Sequence, residues 1–352
     1  METLRLPLDP ARLDSAEAQN ALDRATEVIR AGGLVAFPTE TVYGLGANAL
    51  DAEAVARIFA AKQRPSWDPV IVHVAGGVAE NRMIERLVKE IPGNARKLMA
   101  AFWPGPLTLL LPRSAAVPDS VTAGRPLVGV RMPAHPVAFE LIRRAGVPIA
   151  APSANTFSRT SPTTATHVLE DLDGRIDAIL DGGPTPHGVE STVLDPCQSP
   201  MVIYRPGAIS AEQIREAAGE VELFRAEGTP VSPQALPSPG VGLRHYAPRA
   251  RLVLIDAPTD QLPRGLADAA ALHRNERVGI MLPKDLEMPD APGATVFTWG
   301  RWSAPEEMAR DLYAGLRHLD AQGCTVVLCP MPPHEGIGVA ICDRLRKAAR
   351  KA

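Results

Sequence analysis

The fold class is decided by the stretch RAGGLVAFPTETVYGLGANALD, residues 30–51. Its apolar run, residues 34–37, predicts a buried strand. Hydroxyls, a carboxylate and glycines follow, and Asp51 then opens the next helix as a typical N-cap. A strand that ends in a polar, glycine-rich loop of this kind is unlike ordinary core, and together with the helix that follows it is typical of an α/β protein.

The same alternation of apolar runs and helical patterns continues along the chain. A first helix is predicted at residues 15–30, where it stops at Gly32-Gly33. Further buried strands are predicted at 69–74, 106–111, 127–132 and 147–151, followed by AILDGG, STVLD and MVIYRPG. Few helices separate the last of these, so we expect a sheet that is partly antiparallel or mixed.

The length of 352 residues favours two domains. The first, residues 1–224, is expected to carry the chemistry. Residues 225–249 are rich in Pro and Gly and read as a linker, and residues 250–352 predict a small, largely parallel Rossmann-like domain. The linker carries Arg244, His245 and Tyr246, so we expect it to close over a ligand cleft as a lid, with a plain tether as the alternative.

Composition excludes several classes of protein. The formal charge is −3, so no overall field attracts nucleic acid. The four cysteines form no C-x-x-C pair, which argues against a zinc site or a disulfide scaffold and favours a reducing cytoplasm. The N-terminus does not resemble a signal peptide, and no apolar run is long enough to span a membrane.

Cationic residues recur at predicted strand ends and turns. These are Lys62, Arg64, Arg131, Arg159 and Arg205. Arg131 stands inside the apolar strand VGVRM, where a guanidinium is costly unless it meets an anion or a paired carboxylate. The sequence has no Ser-His-Asp spacing and no obvious catalytic carboxylate pair. Anion-holding groups without acid–base machinery favour a reaction driven by positioning and charge stabilisation, such as nucleotidyl transfer.

Two nucleotide motifs are weak. Gly44-x-Gly46-x-x-Ala49 matches a loose dinucleotide fingerprint, but a basic turn stands where the ribose-binding acid belongs. Gly336 and Gly338 precede a helix near the end of the chain, and no strand follows them. A second nucleotide site in the C-terminal domain is therefore disfavoured.

Several segments closely resemble the YrdC-like family, the threonylcarbamoyl-AMP synthases, in their long two-domain form. They are FPTETVYGLGANA, KQRPSWDPVIVHV, FWPGPLTL, VRMPAHP, PIAAPSAN, SPTTA, GVEST, YRPG and the linker pair SPG and RHYAP. They cover residues 33–248 in order. GIGVAICDRLRKA near the C-terminus is a weaker match. The resemblance implies a twisted mixed α/β sheet around a basic cleft, followed by a smaller Rossmann-like domain.

The resemblance also implies a reaction. L-threonine, bicarbonate or CO2, and ATP with Mg²⁺ would give L-threonylcarbamoyl-AMP and pyrophosphate. A separate tRNA threonylcarbamoyl transferase complex would take the product to adenosine 37 of tRNAs that read codons beginning with A, with at most a weak contact between this chain and tRNA. No catalytic side chain and no metal ligand of the protein is implied.

The implied site has two parts. The threonine pocket would be lined by Thr41, His73, Arg131, Ala151 and Ser191, with Arg131 facing the carboxylate of the amino acid. ATP would be contacted by Arg64, Asp68, Ser153, Ser161 and Arg205, with Lys62 and Asn155 nearby.

The chain departs from the family pattern at three positions. Asp68 stands where the family usually has Asn, and a carboxylate there would repel phosphates unless Mg²⁺ or an arginine lies between. Leu127 replaces a threonine, and Leu243 replaces an aromatic residue. Each departure concerns a contact to ATP.

Two other functions are consistent with part of the pattern. A module that grips RNA on a basic concave surface would explain the cations, but the aromatic content of 4% offers few stacking platforms. Hydrogenase-maturation carbamoyltransferases share the resemblance, yet they carry Cys-rich zinc fingers that this sequence lacks.

Overall fold

The computed structural model describes residues 2–78, 81–224 and 245–350. The chain forms two compact units. The first comprises Met1–Phe157, Pro162–Pro186 and Glu190–Gly242, and the second comprises Ser158–Ser161, His187–Val189 and Leu243–Ala352. Of the predicted linker and lid, residues 225–244 lie outside the described part of the chain.

The first unit is built on a mixed sheet. Its strands are β1 (Leu4–Pro7), β2 (Val35–Pro38), β3 (Tyr43–Asn48), β4 (Val72–His73), β5 (Leu107–Pro112), β6 (Leu127–Arg131), β7 (Ile149–Ala150), β8 (Ala178–Asp181), β9 (Thr192–Asp195), β10 (Met201–Arg205) and β11 (Val221–Leu223). They lie in the order β1-β8-β2-β3-β7-β4-β6-β5-β9-β10-β11. Parallel and antiparallel pairs alternate irregularly, so the expectation of a mixed sheet is confirmed.

Eight helices accompany this sheet in the described residues. They are α1 (Ala16–Arg30), α2 (Ala52–Lys62), α3 (Arg82–Leu87), α4 (Gly93–Phe102), α5 (Asp119–Thr122), α6 (Pro136–Ala145), α7 (Ala165–Leu172) and α8 (Ala211–Ala218). Side-chain caps set where they begin: the Ser15 hydroxyl accepts from the backbone of α1 and the Asp51 carboxylate from that of α2. The Asp51 cap is the one that the sequence predicts, and α1 begins one residue after the predicted start at residue 15.

The stretch after β2 differs from its prediction. Residues 43–48 were expected in a loop, but they form β3, which pairs antiparallel with β2 from Val35↔Gly46 to Pro38↔Tyr43. The turn is therefore only four residues long and contains Glu40 and Thr41. Gly46 lets the strands and the core approach closely, because a Cβ there would lie 2.6 Å from Phe37 and 2.8 Å from Ile149.

The sheet separates two hydrophobic cores. Alternate residues of β2 enter different clusters: Ala36 packs with Leu45 and Val72, whereas Val35 and Phe37 pack with residues of α1 and α6. Because both faces are covered, the central strands are buried throughout, as their continuous apolar runs predict.

The second unit has its own parallel sheet, in the order β12-β15-β13-β14. Its elements are β12 (Arg251–Ile255), a short 3₁₀ turn (Thr259–Gln261), α9 (Leu262–Leu272), β13 (Val278–Leu282), β14 (Thr295–Thr298), α10 (Pro305–Ala321), β15 (Val326–Pro330) and α11 (Gly338–Ala348). Tyr246 is buried within this unit, 6.0 Å from the ring of Tyr313 and 5.0 Å below the guanidinium of Arg344. A parallel α/β C-terminal domain is confirmed.

Gly46→Ala should destabilise the first unit by about 1–3 kcal/mol, because its methyl group overlaps Phe37 and Ile149. Gly93→Ala is the matched control, since a Cβ at the first residue of α4 meets nothing within 4 Å. The measurement is the free energy of unfolding in urea. Equal stability of the two variants would contradict the close approach of β2, β3 and β7.

Candidate active site

Polar side chains from five neighbouring strands lie close together where these strands begin or end, along one edge of the large sheet. His73 ends β4 and pairs with Arg131, which ends β6. Strands β5 and β6 are antiparallel, so the pair Leu109↔Val130 places Thr108 of β5 at the level of Arg131. The pairs Leu107↔Thr192 and Val193↔Arg205 then bring the start of β9 and the end of β10 to this edge. The strand order therefore brings His73, Arg131, Ser191 and Arg205 to one edge of the sheet.

Arg131 is held on three sides within the protein. Its Nε donates to the carbonyl of Gly105 at 3.2 Å, and its Nη1 donates to the hydroxyl of Thr41 at 3.0 Å. Its Nη2 lies 2.7 Å from Oε1 of Glu40. The guanidinium is thus fixed in orientation, and the side chain is buried, with 4% of its surface exposed.

Glu40 is the paired carboxylate that the position of Arg131 required. Burial is the largest influence and raises the pKa of Glu40, but the charge of Arg131, its hydrogen bond and the backbone donors of Glu40 and Ala134 together outweigh burial, and the pKa lies below its ordinary value. The carboxylate is therefore ionised at neutral pH. Although Arg131 was expected to face a substrate carboxylate, part of its charge is already met by Glu40.

His73 is electrically neutral in this surrounding. Burial lowers its pKa to about 3, and the positive charge of Arg131 acts in the same direction. The ring packs edge-on against Phe37, with 6.4 Å between centroids. Its Nδ1 is buried and has no hydrogen-bond partner among the described residues. A neutral imidazole with a free nitrogen can bind a polar ligand without adding charge to the site.

Ser191 lies between two polar side chains just before β9. Its Oγ is 2.8 Å from the hydroxyl of Thr108 and accepts from Nη2 of Arg205 at 3.0 Å. The Nε of Arg205 also donates to the backbone carbonyl of Ser191 at 3.1 Å. One residue predicted for threonine is therefore in direct contact with one predicted for ATP.

Lys62 fixes the segment after β7. Its ammonium group donates to the carbonyl of Ser153 at 2.6 Å and to the carbonyl of Asn155. Burial lowers the pKa of Lys62 well below its ordinary value, and the nearby charge of Arg64 adds to the effect. Lys62 thus orients the turn that carries Ser153 and Asn155.

Arg64 and Asp68 form a buried ion pair, with 2.9 Å between Nη2 and Oδ2. Arg64 also donates to the carbonyls of Asp68 and Pro69, at 3.1 and 2.7 Å. Burial raises the pKa of Asp68, while Arg64 and, further down in size, Arg205 oppose the rise. An arginine therefore lies beside the carboxylate that replaces the usual Asn.

Ala151 and Ser161 are the remaining residues predicted for the site, and they lie in different units of the chain. Ala151 follows β7, where its amide donates to the carbonyl of Ile71 at 2.8 Å. Ser161 is fully buried, and it belongs with Arg159 to the segment Ser158–Ser161 of the second unit. Leu127 begins β6, and Leu243 falls outside the described residues.

Sequence reasoning did not assign a role to Glu40 or Thr108. Glu40 stands in a turn beside hydroxyl residues, where a carboxylate is unremarkable. Thr108 interrupts the apolar run PLTLLL, and a buried hydroxyl that needs a partner was the available signal.

Within the described ranges, no group of three or more His, Cys, Asp or Glu side chains could hold a metal ion. No helix in the described part of the chain is both long and apolar enough to cross a membrane. The four cysteines are free thiols.

The fold defines a mixed α/β protein in which buried cationic and hydroxyl side chains meet at one edge of the large sheet. A family model described as "Telomere recombination" matches residues 27–207, and the model of the threonylcarbamoyl-AMP synthase C-terminal domain matches residues 209–350. Threonylcarbamoyl-AMP synthase from Pyrococcus abyssi is 45% identical over 328 residues, covering 92% of this chain and 93% of the relative. That from Bacillus subtilis is 42% identical over 327 residues, covering 93% and 92%.

A solved structure agrees over nearly the whole length. P. abyssi Sua5 complexed with L-threonine superimposes with a TM-score of 0.87 and 41% identity, covering 99% of this chain and 98% of that one. The chain therefore belongs to the threonylcarbamoyl-AMP synthase family, in its two-domain form. The resemblance drawn from the sequence motifs is confirmed, and the chain is an enzyme of the nucleotidyltransferase type.

His73 should make folding sensitive to acid. Its imidazole is neutral in the folded state, whereas the unfolded chain takes up a proton near pH 6.5. Between pH 6.5 and about 3 the unfolded state binds more protons, so stability is lost as the pH falls through this window. The limiting slope is about 1.4 kcal/mol per pH unit.

The check compares the free energy of unfolding at pH 7 and pH 5. The wild type should lose up to about 2 kcal/mol more than His73→Gln over this interval. His334→Gln, at an exposed position, should behave like the wild type. The same pH dependence in His73→Gln would contradict a neutral buried imidazole.

Proposed function

We propose that this chain converts L-threonine, bicarbonate or CO2, and ATP into L-threonylcarbamoyl-AMP and pyrophosphate. The amine of threonine loses a proton and forms a bond to the carbon of CO2, which gives a carbamate. A carbamate oxygen then attacks the α-phosphorus of ATP, and the bond to the β-phosphate breaks to release pyrophosphate. If bicarbonate is the donor, water leaves as well.

The observation that carries this proposal is the fixed guanidinium of Arg131 at the edge of the sheet. Held by Glu40, Thr41 and Gly105, it can offer its remaining N–H groups to a carboxylate without reorganising. The charges of Glu40 and Arg131 cancel, and His73 is neutral. A locally neutral pocket of this kind suits a zwitterionic amino acid better than a simple anion. The P. abyssi relative with L-threonine bound supports this choice of substrate.

The nucleotide is assigned to the neighbouring groups. Arg205 lies beside Ser191. Its positive charge also lowers the pKa of Asp68, the carboxylate that pairs with Arg64. The turn that carries Ser153 and Asn155 is held by Lys62, which donates to the backbone carbonyls of both residues. Ser161 belongs to the same assignment. These groups would bind phosphates through charge and through backbone and hydroxyl donors, as positioning catalysis requires.

Mg²⁺ is proposed to enter with ATP. Mg²⁺ usually keeps several waters and is bound by one or two carboxylates together with substrate phosphates. The described residues provide no cluster of ligands for a protein-held ion, and the carboxylate of Asp68 is paired with Arg64. The donor set therefore fits an ion held mainly by the phosphates, whose charge it would partly neutralise.

A general RNA-binding module is the less favoured function. Arg64, Arg131 and Arg205 are each less than 9% exposed, so they cannot track the phosphates of a large polyanion. We propose that a separate tRNA threonylcarbamoyl transferase complex takes the product to tRNA. This chain itself would make at most a weak contact with tRNA. Since the substrates and this acceptor are cytoplasmic, we also place the protein in the cytoplasm.

The reaction is tested by measuring pyrophosphate release with threonine, bicarbonate, ATP or Mg²⁺ omitted in turn. Each omission should abolish release. Serine should support turnover about fivefold to tenfold less efficiently, because the lost methyl contact is worth roughly 1 kcal/mol. Equal release with and without threonine would overturn the proposal.

Asp68→Asn should tighten ATP binding by about threefold to tenfold, because one carboxylate near the phosphates is removed. The Mg²⁺ concentration at half-maximal activity should stay the same, since Asp68 is paired with Arg64. Asp14→Asn, at an exposed position, is the charge-matched control. A weaker dependence on Mg²⁺ in Asp68→Asn would instead make this carboxylate a metal ligand.

A further inference from the structure

Thr108 and Ser191 form a hydrogen bond between two buried hydroxyl groups. Counting the donors and acceptors around this hydrogen bond shows which hydroxyl donates and which accepts. Both side chains are buried, with exposures of 0% and 1%. Their oxygen atoms are 2.8 Å apart, so one hydroxyl donates to the other. Distance alone does not say which of the two is the donor.

The surroundings of Thr108 distinguish the two directions. Among the described residues, the Ser191 oxygen is the one hydrogen-bond partner of the Thr108 hydroxyl. If Ser191 were the donor, the proton of Thr108 would be buried without an acceptor, which costs about 1–3 kcal/mol. If Thr108 is the donor, the proton left over belongs to Ser191, which lies just before β9 and is one of the residues proposed to line the threonine pocket, so an oxygen atom of the bound amino acid can accept it. Thr108 therefore donates.

Arg205 completes the count on Ser191. A hydroxyl oxygen has two lone pairs, and the Ser191 oxygen accepts one hydrogen from Arg205 at 3.0 Å and one from Thr108. Both acceptor places are then filled. The only hydrogen-bonding capacity that remains to Ser191 is its own O–H.

We propose that Thr108 is a positioning residue that acts through Ser191, forcing the Ser191 hydroxyl to donate to an oxygen atom of the bound amino acid. This inference rests on the proposed function, which supplies threonine as the ligand. It requires an acceptor, a carboxylate or hydroxyl oxygen, above Ser191, and it excludes the ammonium group from that place. Thr108 lies one residue beyond the last paired position opposite β6, which places it next to Arg131.

The test is a double-mutant cycle on threonine binding, measured by calorimetry on the full-length protein with a non-hydrolysable ATP analogue and Mg²⁺. The variants are Thr108→Val, Ser191→Ala and the double variant, with Thr108→Ser as the conservative control that keeps the hydroxyl. Thr108→Ala is added because the methyl group of valine stands where the hydroxyl contacted Ser191.

Thr108→Val and Thr108→Ala should each weaken threonine binding about threefold to tenfold, the range of one hydrogen bond. Thr108→Ser should stay within about twofold of the wild type. In the Ser191→Ala background, Thr108→Val should change the Kd for threonine by less than about twofold, because the residue it acts through is gone. The Kd of the ATP analogue should be unaffected by Thr108→Ser.

An equal loss from Thr108→Val with and without Ser191 would show a structural role and overturn the inference. So would unchanged binding in both Thr108→Val and Thr108→Ala. In either case the wild type still binds threonine, and the proposed function stands. Absence of threonine binding in the wild type would overturn the proposed function itself, and the inference with it.

Discussion

A guanidinium group buried in a sheet must satisfy its charge inside the protein, and Arg131 does so through Glu40. Arg131 ends a central strand, whereas Glu40 sits in the tight turn between β2 and β3. The 2.7 Å contact therefore ties that hairpin to the middle of the sheet. Removing one partner of such a pair leaves a buried charge and typically costs about 3–5 kcal/mol. The position of Thr41, which contacts the same guanidinium, follows from this pairing.

Pairing within the chain also changes how the cations of the site act. Arg131 is matched by Glu40 and Arg64 by Asp68, so neither contributes a full positive charge at a distance. This agrees with a net charge of −3 for the chain. Selectivity then depends on short-range geometry, such as the orientation of a guanidinium or hydroxyl, more than on long-range attraction. The basic character expected for the cleft as a whole stays a prediction.

Much of the fold follows from local signals. Asp51 predicts the start of α2 because a cap is a short-range interaction. The apolar runs predict most of the strands. Strand β3 escapes prediction because Gly44 and Gly46 resemble a loop, although the second is required by the close packing of Phe37.

The candidate site also has a part that local sequence predicts and a part that it does not. The type of residue at 131 predicts that a counter-charge exists, but only the sheet order identifies it as Glu40. Thr108 and Ser191 are 83 positions apart, and a threonine in an apolar run has no distinguishing pattern. Residue types thus indicate the chemistry, whereas the pairing that orients each group depends on long-range contacts that a single sequence does not display.

The arrangement of strands in the first unit has a consequence for the order of events during synthesis. Strand β1 pairs with β8, from Leu4↔Ala178, so the N-terminal strand waits for most of the unit to be made. Sheets with such distant pairings fold slowly, because a long loop must close before its contacts form. The nascent chain therefore needs protection of its apolar runs until β8 has left the ribosome. Arg205, which we propose to contact ATP, stands at the end of β10 and is added later still, so under that proposal ATP can bind and stabilise the native state only after β10 has been made.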